Sequence, residues 1–310
     1  MGVRLLISSV ALVAILWAVP QSGTARFIAR AAERPQSVSS PATVRLRVSK
    51  DRGLLVTGWI NNAGPYVFAI DTGAGMNLLT ERIVREARLA TRYTSRVVFS
   101  GLSGVTNSSS REATGVSFAL GNQTNFFPPN KTAIVVNSLA TGVDGIIDPT
   151  DVYAPGGYSI DMPQERMDPW QADMSPGRGL RVEGATVPWL RLGDSDRPFV
   201  RLGDGRLALL DTGSGFGLAV NQRDAVIVGR RDRRQPPPSQ DVGGGYISSR
   251  RVEPTTISIG ELVLQRVPTD VLSGINDDAP VILGRDALYP FKMTFDPRRH
   301  LIEFATSIRS

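Results

Sequence analysis

The stretch Val67-Phe68-Ala69-Ile70-Asp71-Thr72-Gly73-Ala74-Gly75 places a carboxylate in a glycine-bounded turn directly after an apolar run. The same arrangement returns as Leu207-Ala208-Leu209-Leu210-Asp211-Thr212-Gly213-Ser214-Gly215. A single Asp-Thr-Gly turn after a strand is ordinary loop chemistry. Two copies in matched settings predict that the two aspartates meet in the folded chain, where paired carboxylates can form an acid/base unit.

The two copies belong to a longer repeat. Four pairs of landmarks recur in the same order, separated by 135 to 140 residues: Asp71 and Asp211, residues 116–121 and 255–260, Gly145 and Gly284, and residues 158–163 and 293–297. Residues 116–121 and 255–260 alternate apolar and polar side chains and end at glycine, which is typical of a half-buried strand entering a hairpin. The order of the landmarks predicts a duplicated domain.

The composition favours a mainly β fold. With 310 residues, the chain is long enough for two domains that each bury a core. Its 31 glycines, 21 prolines and 21% charged residues suit short strands joined by tight turns better than a helical bundle. Helical periodicity predicts only short helices, with the best candidates at residues 81–89 and 285–288.

The N-terminus has the pattern of a signal peptide. Arg4 precedes an apolar stretch of 15 residues, 5–19, which Pro20 ends, and small residues follow up to Ala25. We expect residues 1–25 to be a signal peptide cleaved after Ala25, and the protein to be periplasmic, secreted or anchored to the outer face of the inner membrane. The alternative is an uncleaved segment that anchors the chain in the membrane. The chain has no cysteine and therefore cannot form disulfides.

Composition and the repeat divide the rest of the chain. Residues 26–43 are predicted to form a flexible tether, 44–167 the first lobe, 168–184 a connection and 185–310 the second lobe.

Charge and residue types argue against several functions. The net charge of +6 comes with short arginine clusters but no interleaved aromatic residues or recognised motif, so we expect no nucleic-acid binding. His300 is the single histidine, which argues against Ser/His/Asp catalysis and against a metal site. We therefore expect no metal and no cofactor.

With its two Asp-Thr-Gly turns and the later segment Ile282-Leu283-Gly284-Arg285-Asp286, the chain resembles the aspartic peptidases over residues 44–305. The likeness is strongest to the retropepsin-like branch found in retroviruses and as exported bacterial proteins. Two motifs in one chain resemble the bilobal pepsins. The resemblance implies an all-β fold of two similar, closed β-barrel-like lobes related by pseudo-twofold symmetry, with a cleft between them. It also implies hydrolysis of a peptide or protein substrate by a monomer, because one chain contains both half-sites.

The resemblance assigns roles to the residues of both turns. Asp71 and Asp211 are the candidate catalytic residues, and two carboxylates about 3 Å apart retain one shared proton because both cannot ionise cheaply. The sequence leaves open which of the two carries that proton. The supporting residues are Thr72 and Thr212, which would join the two loops by hydrogen bonds, Gly73 and Gly213, which permit close approach, and Ala74 and Ser214 beside the dyad.

Two glycine-rich segments, 100–105 and 242–247, resemble the hairpins that close over substrate in this family. Their candidate residues are Gly101, Gly104, Gly244 and Tyr246. Glycines there would supply the mobility of a lid, although plain hairpin turns explain them equally well.

One departure from the family pattern separates the two halves. Gly284-Arg285 in the second half has no counterpart in the first, where Asp148-Pro149 follows the apolar run. In retroviral relatives this arginine pairs with an acidic residue just after the Asp-Thr-Gly-Ala run, a place held here by Gly75-Met76 and Gly215-Phe216. We therefore expect Arg285 to have a different partner.

Three other functions compete with peptide hydrolysis. The first is a catalytically silent, peptide-binding or regulatory protein on the same scaffold. The second is a phosphotransferase of the actin and sugar-kinase type, whose Asp-x-Gly-x-Gly loops bind phosphate, but it needs more helix than this sequence predicts. The third is a glycoside hydrolase, which also uses two carboxylates but has no need of two equivalent Asp-Thr-Gly turns.

Overall fold

The computed structural model describes residues 40–101, 106–139, 142–170, 184–193, 195–227, 239–240, 245–275 and 279–306. The predicted signal peptide and the tether as far as residue 39 lie outside this part of the chain, as do residues 171–183 of the predicted connection. Within the described residues, none of the helices has the length and apolar character needed to cross a bilayer.

The described chain is built mainly of strands. They are β1 (Val44–Arg45), β2 (Arg47–Ser49), β3 (Gly53–Ile60), β4 (Ala63–Ile70), β5 (Leu78–Thr80), β6 (Ala90–Ser100), β7 (Thr106–Val116), β8 (Phe118–Leu120), β9 (Lys131–Val136), β10 (Gly145–Ile147), β11 (Gly157–Asp161), β12 (Arg166–Trp170), β13 (Gly184–Pro188), β14 (Leu190–Leu192), β15 (Ser195–Arg201), β16 (Leu207–Asp211), β17 (Leu218–Val220), β18 (Ser239–Gln240), β19 (Tyr246–Ile259), β20 (Leu262–Ser273), β21 (Val281–Gly284), β22 (Phe291–Asp296) and β23 (Leu301–Thr306). The helices are α1 (Glu81–Glu86), α2 (Pro149–Tyr153) and α3 (Arg285–Leu288), with a 3-10 turn at Asp224–Ile227.

Two large sheets repeat one strand order. The first runs β2-β3-β4-β10-β5-β9-β7-β6, with β8 paired to β3, and the second runs β14-β15-β16-β21-β17-β20-β19-β18. Corresponding pairs also have the same sense: β4 with β10 and β16 with β21 are parallel, as are β5 with β9 and β17 with β20. Each large sheet is the scaffold of one lobe. The predicted all-β fold of two similar lobes with few short helices is confirmed.

A third sheet takes strands from both halves of the chain, in the order β1-β12-β11-β22-β23-β13. At its centre β11 pairs antiparallel with β22, so that Ser159 lies opposite Thr294. This register equals the one that a twofold relation between the two segments requires. The ring of Tyr158 stacks on Phe295 with centroids 4.7 Å apart, which buries aromatic surface between the two halves.

The strand register corrects one landmark of the sequence repeat. Gly145 lies opposite Phe68 in the first lobe, and Val281 lies opposite Ala208 in the second. Gly145 therefore corresponds to Val281, and pairing it with Gly284 was wrong by three positions. The apolar strand residues set this register through their pairing. The glycines at 145 and 284 do not determine it.

The two glycines are needed for separate local reasons. A Cβ on Gly145 would lie 2.6 Å from the Leu78 carbonyl oxygen, whereas one on Gly284 would collide with the Phe216 carbonyl oxygen. Close packing of the backbone excludes a side chain in both places, so the sequence offered two similar signals with different causes.

The short helices agree only in part with the sequence analysis. Helix α3 covers the predicted residues 285–288, but α1 ends at Glu86 because Arg88 takes a left-handed φ of 51° soon afterwards. Helix α2 was not predicted, although its signal was present. The Asp148 side chain accepts a hydrogen bond from the Thr150 N–H at 2.9 Å, and Pro149 opens the helix.

Candidate active site

Both Asp-Thr-Gly turns lie at the carboxyl end of a central strand. Asp71 follows β4, and its backbone N–H donates to the Ile147 carbonyl oxygen at 3.0 Å. Asp211 ends β16 and lies opposite Gly284 of β21. Because β10 and β21 flank the two aspartates in the same way, the two side chains lie at equivalent strand ends in the two sheets.

The two threonines join these turns across the lobes. The Thr72 hydroxyl donates to the Leu210 carbonyl oxygen at 2.6 Å and accepts from the Thr212 N–H at 3.1 Å. The Thr212 hydroxyl donates to the Ile70 carbonyl oxygen and accepts from the Thr72 N–H, both at 3.1 Å. Both side chains are 0% exposed. Four reciprocal hydrogen bonds in a dry environment therefore fix the position of one turn relative to the other.

The carboxyl groups of Asp71 and Asp211 lie close enough to shift each other's pKa, and both residues keep partial contact with solvent. Each carboxyl packs over the glycine of the opposite turn. A Cβ on Gly213 would lie 2.5 Å from Cγ of Asp71, and one on Gly73 would lie 2.9 Å from Cγ of Asp211. Glycine at both places is what allows the two carboxylates to meet.

Backbone N–H groups of the two turns donate hydrogen bonds to the two carboxylates. Asp71 Oδ1 accepts from the Gly73 N–H at 2.8 Å, and Asp211 Oδ1 accepts from the Ser214 N–H at 2.9 Å. The Ser214 hydroxyl accepts from the Phe216 N–H at 3.3 Å, and this bond supports the turn. Ala74, the counterpart of Ser214, packs against the apolar cluster of the first lobe.

The two carboxyl groups titrate as a coupled pair. Burial, followed by the negative charge of Asp211, raises the pKa of Asp71 well above its usual value. Burial also raises the pKa of Asp211, but the hydrogen bonds from Asp71 and the Ser214 N–H, and the charge of Arg285, act in the opposite direction. Such a pair retains a proton at pH values where isolated aspartates are ionised.

Arg285 has backbone partners. Its guanidinium donates to the carbonyl oxygens of Thr212 and Gly213 at 2.9 and 2.8 Å, and to that of Lys50 at 3.1 Å. The residue is 7% exposed, and burial lowers its pKa. Since Lys50 precedes β3 in the first lobe, this arginine connects the second Asp-Thr-Gly turn to the other half of the chain.

Sequence reasoning missed a buried polar network behind Asp71. Asn77 accepts from the Asp148 N–H at 3.0 Å and donates to Asp151 at 2.5 Å. Asp148 itself is 3% exposed, and burial raises its pKa to about 7. The Asp-Pro pair at 148–149 signalled a helix start, but nothing in the sequence showed that this carboxyl would be buried beside the dyad.

Each candidate flap segment lies between the two strands of a hairpin, β6 and β7 in the first lobe and β18 and β19 in the second. The two hairpins hold corresponding places in their sheets. Gly101 follows β6, whereas Gly104 and Gly244 lie outside the described residues. Tyr246 is 69% exposed and lies opposite Gln240. That these two segments act as a lid stays a prediction.

In the part of the chain that the structure describes, no group of three or more His, Cys, Asp or Glu residues is placed to hold a metal ion.

Comparison with known proteins agrees with this geometry. Residues 56–147 match the family model described as aspartyl protease, a range that includes Asp71 and ends before the second turn. Among solved structures, the chain is similar to the aspartic proteinase from Irpex lacteus, with a TM-score of 0.55 and 14% sequence identity. That similarity covers 86% of this chain and 98% of the Irpex lacteus protein, so the fold is shared over both lobes. None of the curated protein sequences matches this chain.

Proposed function

We propose that this chain, which belongs to the aspartic peptidases, is an endopeptidase that hydrolyses peptide bonds with a water activated between Asp71 and Asp211. The observation that carries the proposal is the pair of adjacent carboxyl groups, each packed over the glycine of the opposite turn, in two turns held together by Thr72 and Thr212. Burial keeps one proton on the pair, which supplies an acid and a base side by side.

The proposed reaction uses that single proton in two steps. In the first, the ionised carboxylate takes a proton from water while the water oxygen forms a bond to the scissile carbonyl carbon. The carbonyl π electrons move to oxygen, which takes the proton of the other carboxyl group, giving a neutral gem-diol.

In the second step the C–N bond breaks. Its electron pair goes to nitrogen, which receives the proton first taken from water. One gem-diol hydroxyl returns its proton to the other carboxylate as the C=O bond reforms. The products are a carboxylic acid and an amine, one water is consumed, and the pair again holds one proton.

Apolar side chains flank the catalytic turns on both sides. Ala74 and Met76 are partly buried against the first-lobe cluster, and Phe216 is partly buried against the corresponding cluster of the second lobe. These surfaces would desolvate apolar side chains of an extended peptide near the scissile bond.

A cleavage assay tests the proposal. The purified protein is incubated with a denatured-protein mixture from about pH 3 to 7, with and without pepstatin, whose hydroxyl takes the place of the attacking water. The wild type should cleave and pepstatin should inhibit it. The double variant Asp71→Asn/Asp211→Asn should be inactive, while Asp204→Asn, which changes an aspartate on an exposed turn, should cleave like the wild type.

The competing function, a silent binding protein, rests on the divergence of the first lobe at Asp148-Pro149. It predicts that pepstatin or a peptide binds without any turnover. Binding with no cleavage at any pH would therefore favour that function over hydrolysis.

A further inference from the structure

An arginine of the second lobe packs on the first Asp-Thr-Gly turn. Gly75, the fourth residue after Asp71, takes a left-handed φ of 70°, and a Cβ on it would lie 3.1 Å from Cγ and 3.3 Å from Cδ of Arg197. Arg197 belongs to β15, a strand of the second large sheet. Because Gly75 has no side chain, the aliphatic part of this arginine lies directly against the turn that contains Asp71.

The corresponding glycine of the other turn also has an arginine beside it. A Cβ on Gly215 would lie 3.2 Å from Nη2 of Arg285. That guanidinium is buried and donates to three backbone carbonyl oxygens, so its donors are used by the fold. Arg197 is partly exposed, and within the described residues its guanidinium makes a single hydrogen bond, from Nε to the Ser195 hydroxyl. The donors of Arg197 therefore stay available beside one turn only.

Local contacts hold Arg197 in place. The Ser195 hydroxyl accepts from Nε of Arg197 at 3.1 Å and from its backbone N–H at 3.3 Å. The guanidinium carbon lies 5.9 Å from the centre of the buried Phe199 ring. The Arg197 carbonyl oxygen accepts from the Trp189 indole N–H at 3.2 Å. A side chain that is held in this way loses little conformational freedom when it binds a ligand.

The positive charge of Arg197 has no carboxylate partner in the ranges that the structure describes. The neighbouring acid, Asp196, pairs with Arg191 at 2.8 Å, and its side chain points to the opposite face of β15 because side chains alternate along a strand. With Nε bonded to Ser195, both Nη groups of Arg197 keep their N–H donors. Two such groups side by side match the two oxygens of a carboxylate.

The strand register places Arg197 on the face of the second sheet that carries apolar side chains near the paired aspartates. Along β15 the side chains of Arg197 and Phe199 share a face, and Phe199 lies opposite Leu209 of β16. Leu209 lies in turn opposite Ile282, a member of the apolar cluster against which Phe216 packs. This is the surface that would contact an extended peptide.

The distance to the reacting bond is set by the turn. Gly75 is four residues from Asp71, so their Cα atoms are at most about 14 Å apart. An extended peptide rises about 3.4 Å per residue. Arg197, which lies against Gly75, is therefore within reach of a substrate residue up to about four positions from the scissile bond.

We propose that Arg197 selects substrates by binding the carboxylate of an acidic side chain within about four residues of the scissile bond, on the side of the first Asp-Thr-Gly turn. The inference rests on the proposed function, for which it names the substrate class. Because Arg285 uses its donors on the backbone, the preference for an acidic residue applies to one side of the scissile bond.

Cleavage of matched peptides tests this inference. In a peptide that the wild type cleaves, glutamate is placed in turn at each position up to about four residues from the bond on either side, and kcat/KM is compared with that of the glutamine counterpart. The wild type should prefer glutamate on one side by about fivefold or more, and added salt should weaken the preference. Arg197→Gln should reduce this ratio to less than about twofold, and Arg197→Glu should prefer lysine over glutamine at the same place.

Arg201→Gln is the matched control, because Arg201 is an exposed residue of the same strand that donates to the Gly205 carbonyl oxygen. It should keep the wild-type ratio, and circular dichroism checks that all variants fold. A wild-type ratio near one at every position, or a preference that persists in Arg197→Gln, would overturn the selective role and leave the proposed function intact. Equal slowing of both peptides of a pair by Arg197→Gln would assign the residue a structural role and would also overturn it.

A wild type that cleaves neither the peptides nor the denatured-protein mixture would overturn the proposed function itself. The behaviour of the wild type therefore distinguishes the two failures.

Discussion

Removing the Thr72 hydroxyl should destabilise the whole two-lobed fold. The substitution Thr72→Val keeps the shape of the side chain but removes the hydroxyl that bonds to the Thr212 N–H and the Leu210 carbonyl oxygen. Both groups are in a fully buried setting, since Thr72 and Thr212 are 0% exposed. An unpaired buried polar group costs about 1–3 kcal/mol, so the two together should cost about 2–6 kcal/mol. This is a large share of a typical stability of about 5–15 kcal/mol.

Urea denaturation followed by tryptophan fluorescence and circular dichroism measures this loss as a lower midpoint. Thr186→Val is the matched control, because Thr186 is exposed on the edge strand β13, and it should change stability by less than about 0.5 kcal/mol. Thr72→Val/Thr212→Val should cost less than the sum of the single variants, since both hydroxyls secure one interface. If Thr72→Val unfolds at the wild-type urea concentration, the threonine bonds do not hold the turns together.

Three further predictions concern the groups around the dyad. Because burial raises the pKa of Asp148 from near 4 in the unfolded chain to about 7, the folded chain binds an extra proton between these values and loses stability as pH rises. Asp148→Asn should remove that loss, on the order of 4 kcal/mol, in urea titrations above pH 7. Arg285→Met should lower stability by about 3 kcal/mol or more in thermal unfolding, because three carbonyl oxygens lose a donor. Gly213→Ala should reduce kcat by about 100-fold or more, since its Cβ would lie 2.5 Å from a dyad carbon, while Ser214→Ala should cost less than about tenfold.

The sequence predicted the pair of aspartates because the motif that specifies each of them is local and occurs twice in the chain. An apolar run followed by Asp-Thr-Gly specifies a strand, a turn and a carboxylate, and the repeat specifies two equivalent positions. The short helix α3 was predicted from local helical periodicity. Both features depend on residues near one another in the chain, whereas the strand order of each lobe was not predicted.

The surroundings of the dyad depend on long-range packing and were beyond prediction. The partner of Arg285 in the other lobe is the backbone carbonyl oxygen of Lys50, 235 residues away. Because every residue has such an oxygen, the residue types do not show which one accepts. The burial of Asp148 likewise follows from the packing of α2 against β11, whose contacts no local pattern encodes. The glycine pairing failed because Gly145 and Gly284 satisfy unrelated backbone contacts.

Cleavage of a denatured protein by equal amounts of folded wild type and Asp211→Asn tests the central claim most directly. Peptide fragments should form with the wild type, disappear with pepstatin and be absent with the variant to within about one part in 10² or less. Fragments released at the wild-type rate by Asp211→Asn would show that the hydrolysis does not depend on the paired carboxylates.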